Sequence, residues 1–254
     1  MKASALEFRL RMAIMAAIVV VGFVAPWGWI TGSAREVNLL QWLAHELGRT
    51  GLVSFAVATS IAIVAGALLA AIGAALRIWG SAWLGFATVL NSQMKAGSMM
   101  ADGPYRSMRN PLYLGLWFTI AALSFLMSPT GALFTMVVSG VFLYRLILGE
   151  EGFLEARFGQ PYLDYVQAVP RLFPRMLSKR PDLQPTGQKP RWLHAVLTEL
   201  TPVSVLLSFP VFAWSYDSRL MAKVILVGFG VSLVARGIML GTRREPDSDA
   251  SLPE

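Results

Sequence analysis

The stretch NPLYLGLWFTIAALSFLMSPTGALFTMVVSGVFLYRLIL, residues 110–148, consists of two long apolar runs joined by a short turn sequence. The first run begins at Pro111 and ends near Met127, and the second extends from about Ala132 to Leu148. Both fall in or near the range of roughly 17–25 residues that a helix needs to cross a bilayer. Between them, SPTG (128–131) contains a proline and a glycine, which favour a tight turn. This pattern predicts a transmembrane helical hairpin.

Similar apolar runs precede and follow this hairpin. They extend from Met12 to about Ile30, from Leu52 to about Leu76, from Leu193 to Trp214 and from Leu220 to Leu240. The sequence therefore predicts an all-α, polytopic membrane helix bundle of about six transmembrane helices. The shorter apolar segment Ser81–Gln93 is expected to lie at the membrane interface or to re-enter the bilayer.

These runs divide the chain into five segments. Residues 1–80 carry the N-terminal transmembrane helices, and residues 81–177 form a core with the interfacial segment, two transmembrane helices and the polar clusters described below. A proline-bearing linker, 178–191, precedes the C-terminal transmembrane hairpin, 192–242. The acidic tail, 243–254, is expected to be disordered.

Composition and charge support a membrane protein. The chain is 55% hydrophobic and 15% charged, and its net charge is +7. The basic residues flank apolar runs instead of forming a stripe, which argues against nucleic acid as a partner and for membrane lipids. If the N-terminus is cytoplasmic, only Arg35, Arg49, Arg219 and Lys223 fall on the outer side, and the other 18 of the 22 Lys and Arg lie on or near the cytoplasmic side. The positive-inside rule thus predicts cytoplasmic termini.

A first polar cluster, GPYRSMRNPLYLG (103–115), lies directly before the third apolar run. Asparagine followed by proline is a favourable helix start, because asparagine caps free amides and proline fits the first helical position. The end of such a helix attracts anions, and Arg106 and Arg109 would strengthen that field. The alternative is a capped helix with arginines that extend to the lipid headgroups.

A second cluster, GEEGFLEARFGQPYLDYVQAVPRLFP (149–174), follows the fourth apolar run. The helix is expected to continue through Glu150 and Glu151 to Phe158, where Gly159 and Pro161 end it. Two carboxylates beside an anion-attracting helix end would suit a ligand that carries both signs of charge. The alternative is a solvated helix face on which the glutamates pair with Arg145 or Arg157.

Together, the two clusters resemble the integral membrane methyltransferases that include isoprenylcysteine carboxyl methyltransferase and the phospholipid N-methyltransferases. Their shared pattern is Arg-His-Pro-x-Tyr, then Glu-Glu, then Phe-Gly-x-x-Tyr-x-x-Tyr and Val-Pro-Arg. The resemblance covers roughly residues 97–175 and is carried by Arg109, Asn110, Pro111, Tyr113, Glu150, Glu151, Phe158, Gly159, Tyr162, Tyr165, Val169, Pro170 and Arg171. Asn110 stands where the isoprenylcysteine enzymes have a histidine, and in this respect the sequence is similar to the bacterial phospholipid-methyltransferase-like branch. Unlike histidine, asparagine cannot titrate near neutrality.

The resemblance implies S-adenosylmethionine as cofactor and a lipid or lipophilic acceptor, either a phospholipid amine or an isoprenylcysteine-type carboxylate. It implies catalytic roles for Arg109, Glu150 and Glu151, in a multi-pass protein with its site on the cytoplasmic side and without a metal. The cofactor carboxylate would lie at the helix end and Arg109, and the ammonium and sulfonium at the glutamates. The implied cofactor-binding residues are Tyr105, Arg109, Asn110, Pro111, Tyr113, Glu150, Glu151, Tyr162, Tyr165 and Arg171. Each tyrosine could instead be an interfacial belt residue.

Two further charges lie within the C-terminal apolar runs. Glu199 lies about two turns into the fifth run, and Arg236 lies at similar depth in the sixth. Intramembrane charges usually pair or mark function. We predict that Glu199 and Arg236 pair across the hairpin, with either a structural role or a role in substrate recognition.

Two functions of other classes fit the architecture. One is a non-catalytic membrane scaffold or transport-type protein, which has no need of two glutamates beside Arg109. The other is a sterol-type membrane reductase, whose dinucleotide phosphates would suit the glutamates poorly. The sequence also has no glycine-rich dinucleotide fingerprint after a strand.

Overall fold

The computed structural model describes residues 2–25, 27, 37–87, 102–174 and 189–241, and within these ranges every regular element is a helix. The all-α prediction is therefore confirmed for the described chain. Short 3₁₀ turns lie at Gly103–Arg106 and Ser124–Leu126. The α-helices are α1 Ala5–Arg9, α2 Arg11–Val24, α3 Leu39–Arg49, α4 Phe55–Ala87, α5 Pro111–Leu123, α6 Pro129–Phe158, α7 Gln160–Ala168, α8 Trp192–Thr198, α9 Leu200–Ser215 and α10 Ser218–Gly241.

Three helices in the described ranges are long and apolar enough to cross a membrane. The spans are Phe55–Trp83 in α4, Pro129–Phe158 in α6 and Ser218–Ala235 in α10, and a fourth is possible if α8 and α9 form one broken span. The predicted count of six also needs α2 and α5, which are shorter apolar helices. At 1.5 Å per residue, the 14 residues of α2 extend about 21 Å, less than the hydrocarbon core. The count of six and the orientation of the termini stay predictions.

The hairpin of α5 and α6 turns earlier than predicted, at the 3₁₀ turn Ser124–Leu126, because residues 129–131 of the SPTG sequence already belong to α6. Ser128 caps α6, because its hydroxyl accepts from the Gly131 N–H at 3.2 Å, and Pro129 takes the first helical position. Helix α6 then continues for 30 residues to Phe158, so that it carries Glu150 and Glu151 beyond its apolar part. Gly159, with φ +61°, ends α6 as predicted, since this left-handed conformation suits glycine.

Helix α4 is longer than the sequence predicts. The expected second span ends near Leu76, but α4 runs without a break through Arg77 and Ser81 to Ala87. Residues 81–87 are therefore part of this helix and not a separate interfacial or re-entrant segment, whereas residues 88–93 lie outside the described residues. Arg77 does not interrupt α4, since arginine is a good helix former, and its charge is paired as shown below.

The predicted fifth span is broken at Glu199. Helices α8 and α9 meet there at a bend of 71°. Pro202 explains the break, because its ring would clash with the carbonyl of residue 198 in a continuous helix. Glu199 thus lies at a helix junction, with φ −110° and ψ 32°, instead of within a regular helix.

Glycines allow α4 and α5 to cross closely. A Cβ atom added to Gly115 of α5 would lie 3.0 Å from the Gly73 carbonyl oxygen and 2.7 Å from Cγ of Arg77. Such approaches require glycine, since any larger side chain would force the helices apart. The crossing places the first turn of α5 against the last third of α4.

The C-terminal hairpin packs on this crossing. Phe209 of α9 is fully buried, and its ring lies against Phe125 with centroids 6.1 Å apart. Phe125, Val205, Phe209 and Met221 belong to one buried core that joins α4, α5, α9 and α10. The hairpin therefore contributes to the same folded body as α4 and α5.

Candidate functional site

Asn110 begins α5 as predicted, but its side chain does not cap the helix. The residue occupies the N-cap position, Pro111 is the first helical residue, and the Asn110 carbonyl accepts from the Leu114 N–H at 3.1 Å. The Asn110 amide instead donates to Oε1 of Glu151 at 3.1 Å and to the Arg171 carbonyl at 3.2 Å. The expectation of a side-chain cap is therefore wrong, because the buried amide has a carboxylate acceptor across the fold.

The first turn of α5 consequently keeps free donors. Pro111 has no N–H, and no group in the described chain accepts from the N–H of Leu112 or Tyr113. Unpaired N–H groups carry the partial positive charge of a helix start. This end of α5 can therefore bind an anionic group of a ligand.

Glu151 is the centre of a buried ionic network. Arg109 donates to it through Nε at 3.0 Å and Nη2 at 3.4 Å, and Arg171 donates through Nε at 3.0 Å. The side chains of Arg109 and Glu151 are only 6% and 11% exposed. The hydrogen bond to Glu151 raises the pKa of the Arg171 guanidinium. One carboxylate thus faces two guanidiniums, which leaves the network with one surplus positive charge.

The loop before α5 is fixed to the chain that follows α7. Nη1 of Arg109 donates to the Val166 carbonyl at 2.8 Å, and the Arg109 N–H donates to the Pro170 carbonyl at 2.9 Å. The Asn110 N–H donates to the Arg171 carbonyl at 3.2 Å. The two separated sequence clusters therefore form one unit around Glu151.

Helix α7 brings the predicted tyrosines to this unit. The Tyr165 hydroxyl donates to the Tyr105 carbonyl at 2.7 Å, and the rings of Tyr162 and Tyr165 lie 6.1 Å apart. Burial raises the pKa of Tyr162 and Tyr165, so both phenols stay protonated at neutral pH. Tyr165 supports the loop that carries Tyr105, whereas Tyr162 also lies within the electrostatic range of Glu150.

Glu150 differs from its neighbour. It is half-buried, and no basic side chain among the residues that the structure describes forms an ion pair with it. Its carboxylate interacts with the Tyr113 hydroxyl. Burial and then the charge of Glu150 raise the pKa of Tyr105. Glu150 is thus an uncompensated carboxylate among tyrosines and can attract a cation.

The alternative partners of the glutamates are occupied elsewhere. Nη2 of Arg145 lies 2.8 Å from Oε1 of Glu7, which ties α6 to α1. The Arg157 guanidinium lies over the rings of Phe153 and Phe158, at 6.0 and 5.7 Å from their centroids. A solvated face that pairs the glutamates with Arg145 or Arg157 does not form in this structure.

The sequence reasoning missed a second ion pair. Glu199 is held by Arg77 of α4, with Nε to Oε2 at 2.5 Å and Nη2 to Oε1 at 2.9 Å. The predicted partner, Arg236, has a side chain outside the described residues, so that pairing stays a prediction. A lone arginine directly after an apolar run could have indicated the pair.

A comparison with protein families identifies one match. The family model described as phospholipid methyltransferase matches residues 61–161, from α4 to the start of α7. The match includes Arg109 and both glutamates and ends before Tyr162. It confirms the resemblance to membrane methyltransferases that the two motifs indicate. No curated protein and no solved structure matched the chain.

Proposed function

We propose that the protein transfers a methyl group from S-adenosylmethionine to a lipid or lipophilic acceptor at the cytoplasmic membrane face. The family match supports a membrane methyltransferase that acts on lipids. One observation supports the cofactor most directly. Two adjacent glutamates differ in charge compensation, because Glu151 is neutralised by two arginines while Glu150 has no described ion-pair partner.

The surplus positive charge around Glu151 would bind the cofactor carboxylate. Arg109 and Arg171 together exceed the single charge of Glu151, and the free N–H groups of Leu112 and Tyr113 belong to the same helix start. Both features favour an anion. Arg109 is held by Glu151 and the Val166 carbonyl, so its guanidinium is oriented before any ligand binds. Such preorganisation lowers the entropic cost of binding.

The environment of Glu150 suits the positive groups of the cofactor. A carboxylate that lacks an ion pair favours an ammonium or sulfonium nearby. The aromatic faces of Tyr105, Tyr113 and Tyr162 can add cation–π attraction, which is worth about 0.5–2 kcal/mol per contact depending on solvent exposure. The donor set therefore fits a ligand that carries a carboxylate at one end and positive charge at the other.

The bound cofactor would supply a methyl group on a positively charged sulfur, which becomes a neutral thioether as the carbon–sulfur bond breaks and the bond to the acceptor forms. The chain's contribution is to align the two partners and to exclude water. Asn110 does not titrate near neutral pH. For an amine acceptor, the proton could pass to Glu150, while a carboxylate acceptor needs no base.

Binding of S-adenosylhomocysteine to the purified protein in detergent tests this function. We expect thermal stabilisation by S-adenosylhomocysteine and none by a nicotinamide dinucleotide. Glu150→Gln should abolish the stabilisation without lowering the melting temperature, because no ion pair is lost. Glu155→Gln is the matched control, since this exposed glutamate lies five residues further along α6.

The outcomes separate the three functional classes. Stabilisation by the dinucleotide alone would favour the reductase, and stabilisation by neither ligand would favour the scaffold or transport-type protein. Incubation with methyl-labelled cofactor and a total lipid extract then identifies the acceptor. Label in a phospholipid headgroup and label in a methyl ester distinguish the two acceptor classes.

A further inference from the structure

We infer that Arg77 and Glu199 form a positioning pair, through which the C-terminal hairpin orients the first turn of α5 for cofactor binding. The inference rests on the proposed function. It adds a residue of the C-terminal hairpin, Glu199, to a site that otherwise ends at Arg171, and both residues lie outside the range 61–161 that matches the methyltransferase family.

The pair is buried and has a fixed geometry. Two nitrogens of Arg77 contact the two carboxylate oxygens of Glu199, and the Ser81 hydroxyl donates to Oε1 of Glu199 at 2.7 Å. The side chains of Arg77 and Glu199 are 17% and 5% exposed. Two parallel hydrogen bonds of this kind define both the distance and the plane of the interaction.

Arg77 connects this pair to the start of α5. Its third nitrogen, Nη1, lies 3.4 Å from the carbonyl oxygen of Leu112, the second residue of α5. The contact is possible because Gly115 has no side chain, and the Arg77 stem therefore lies directly over α5. Helix α4, the junction of α8 and α9, and the first turn of α5 thus meet at one guanidinium.

The same turn of α5 carries the free N–H groups of Leu112 and Tyr113. A displacement of this turn would move both donors and would also move Asn110, which contacts Glu151. Tyr105 lies within the electrostatic range of Arg77, Glu199 and Glu150, and its hydroxyl donates to the Gly80 carbonyl at 3.4 Å. Tyr105 is therefore a common neighbour of the Arg77–Glu199 pair and of Glu150, the carboxylate proposed to attract the positive groups of the cofactor.

Stability alone does not explain a buried ion pair. Replacing such a pair by apolar residues is often neutral or stabilising, because the charges no longer have to be desolvated. A pair that orients a helix start has a different consequence, since its removal changes the geometry even where the fold is kept. This difference makes the inference testable.

The test uses the double variant Arg77→Met with Glu199→Leu, which removes both charges of the pair together and is therefore expected to fold. We expect its affinity for S-adenosylhomocysteine to fall by about 2- to 30-fold, the range for coupling through packed contacts. Amide hydrogen exchange should become faster in peptides from residues 110–120 and stay unchanged in peptides from residues 142–152. The single variants Arg77→Lys and Glu199→Asp should show the same effects more weakly.

The matched control is the double variant Glu7→Leu with Arg145→Met, which removes the partly buried ion pair of α1 and α6. It should change neither the affinity nor the exchange of residues 110–120. Parental affinity and parental exchange in the Arg77 and Glu199 double variant would overturn the inference. If the parent protein itself does not bind S-adenosylhomocysteine, the proposed function fails, and the exchange of residues 110–120 still decides whether the pair holds α5.

Discussion

Replacement of Glu151 by glutamine would lower the stability of the protein, and the size of this loss follows from the buried ionic network. The Arg109 guanidinium, whose side chain is 6% exposed, would lose its carboxylate. Loss of one partner of a buried ion pair costs about 3–5 kcal/mol, because a charge stays buried without compensation. The Arg171 side chain is 34% exposed, so solvent screening limits the contribution of the Arg171–Glu151 ion pair to this loss to about 1 kcal/mol or less. Glutamine keeps one hydrogen-bond acceptor, which favours the lower end of the range of about 3–5 kcal/mol. We therefore expect the free energy of unfolding to fall by about 3 kcal/mol.

This value corresponds to a decrease in melting temperature of about 6–12 °C, at 2–4 °C per kcal/mol for a chain of this size. Thermal unfolding in detergent, followed by circular dichroism at a constant scan rate, measures the change, since such unfolding is often irreversible. Glu150→Gln provides the internal comparison, because it removes no described ion pair. A Glu151→Gln variant as stable as the parent would refute the central role of Glu151 in the network.

Three further changes test the packing and the charges. Gly115→Ala should destabilise the protein by about 1–3 kcal/mol, since the new methyl group would meet Cγ of Arg77 at 2.7 Å. Asn110→Asp should lower both the melting temperature and the affinity for S-adenosylhomocysteine, because a donor to Glu151 becomes a second carboxylate beside it. The pKa of Glu7 is lowered by its hydrogen bonds to the Ser4 backbone and Arg145. The ionised carboxylate therefore stabilises the position of α1 at pH values above its ordinary pKa of 4.5, and this stabilisation is lost as the pH falls through the lowered pKa. Hydrogen exchange of residues 2–9, corrected for the intrinsic effect of pH, should accordingly increase in acid.

Each of these changes has a control. Gly230→Ala should not destabilise the protein, because no heavy atom lies within 4 Å of the added Cβ. Asn110→His keeps a ring N–H donor and should lose less affinity than Asn110→Asp. In a Glu7→Gln variant, the corrected hydrogen-exchange rate of residues 2–9 should no longer increase as the pH falls. An increase equal to that of the parent would contradict the role of Glu7.

The sequence by itself determined the helices and the two polar clusters. The Asn110–Pro111 start of α5 and the Gly159 end of α6 are local features, and the structure has helix boundaries where they indicate them. Apolar run length predicted the existence of helices, but not the end of α4 at Ala87 or the break at Glu199. The approach of Arg109 to the glutamates was also expected, since both clusters follow or precede neighbouring helices of one hairpin. Local conformational preference and membrane topology suffice for such predictions.

Only the tertiary structure decided which charges pair. Asn110 directs its amide to Glu151 instead of its own helix, and Arg77 pairs with Glu199, which lies 122 residues further along the chain. Neighbouring Glu150 and Glu151 have different surroundings for the same reason. Partner choice depends on which helices pack together and how each is rotated, because the Coulomb energy of a buried pair changes steeply over a few ångströms. Helix periodicity fixes the position of a residue on its own helix, but it does not specify the side chain across the interface.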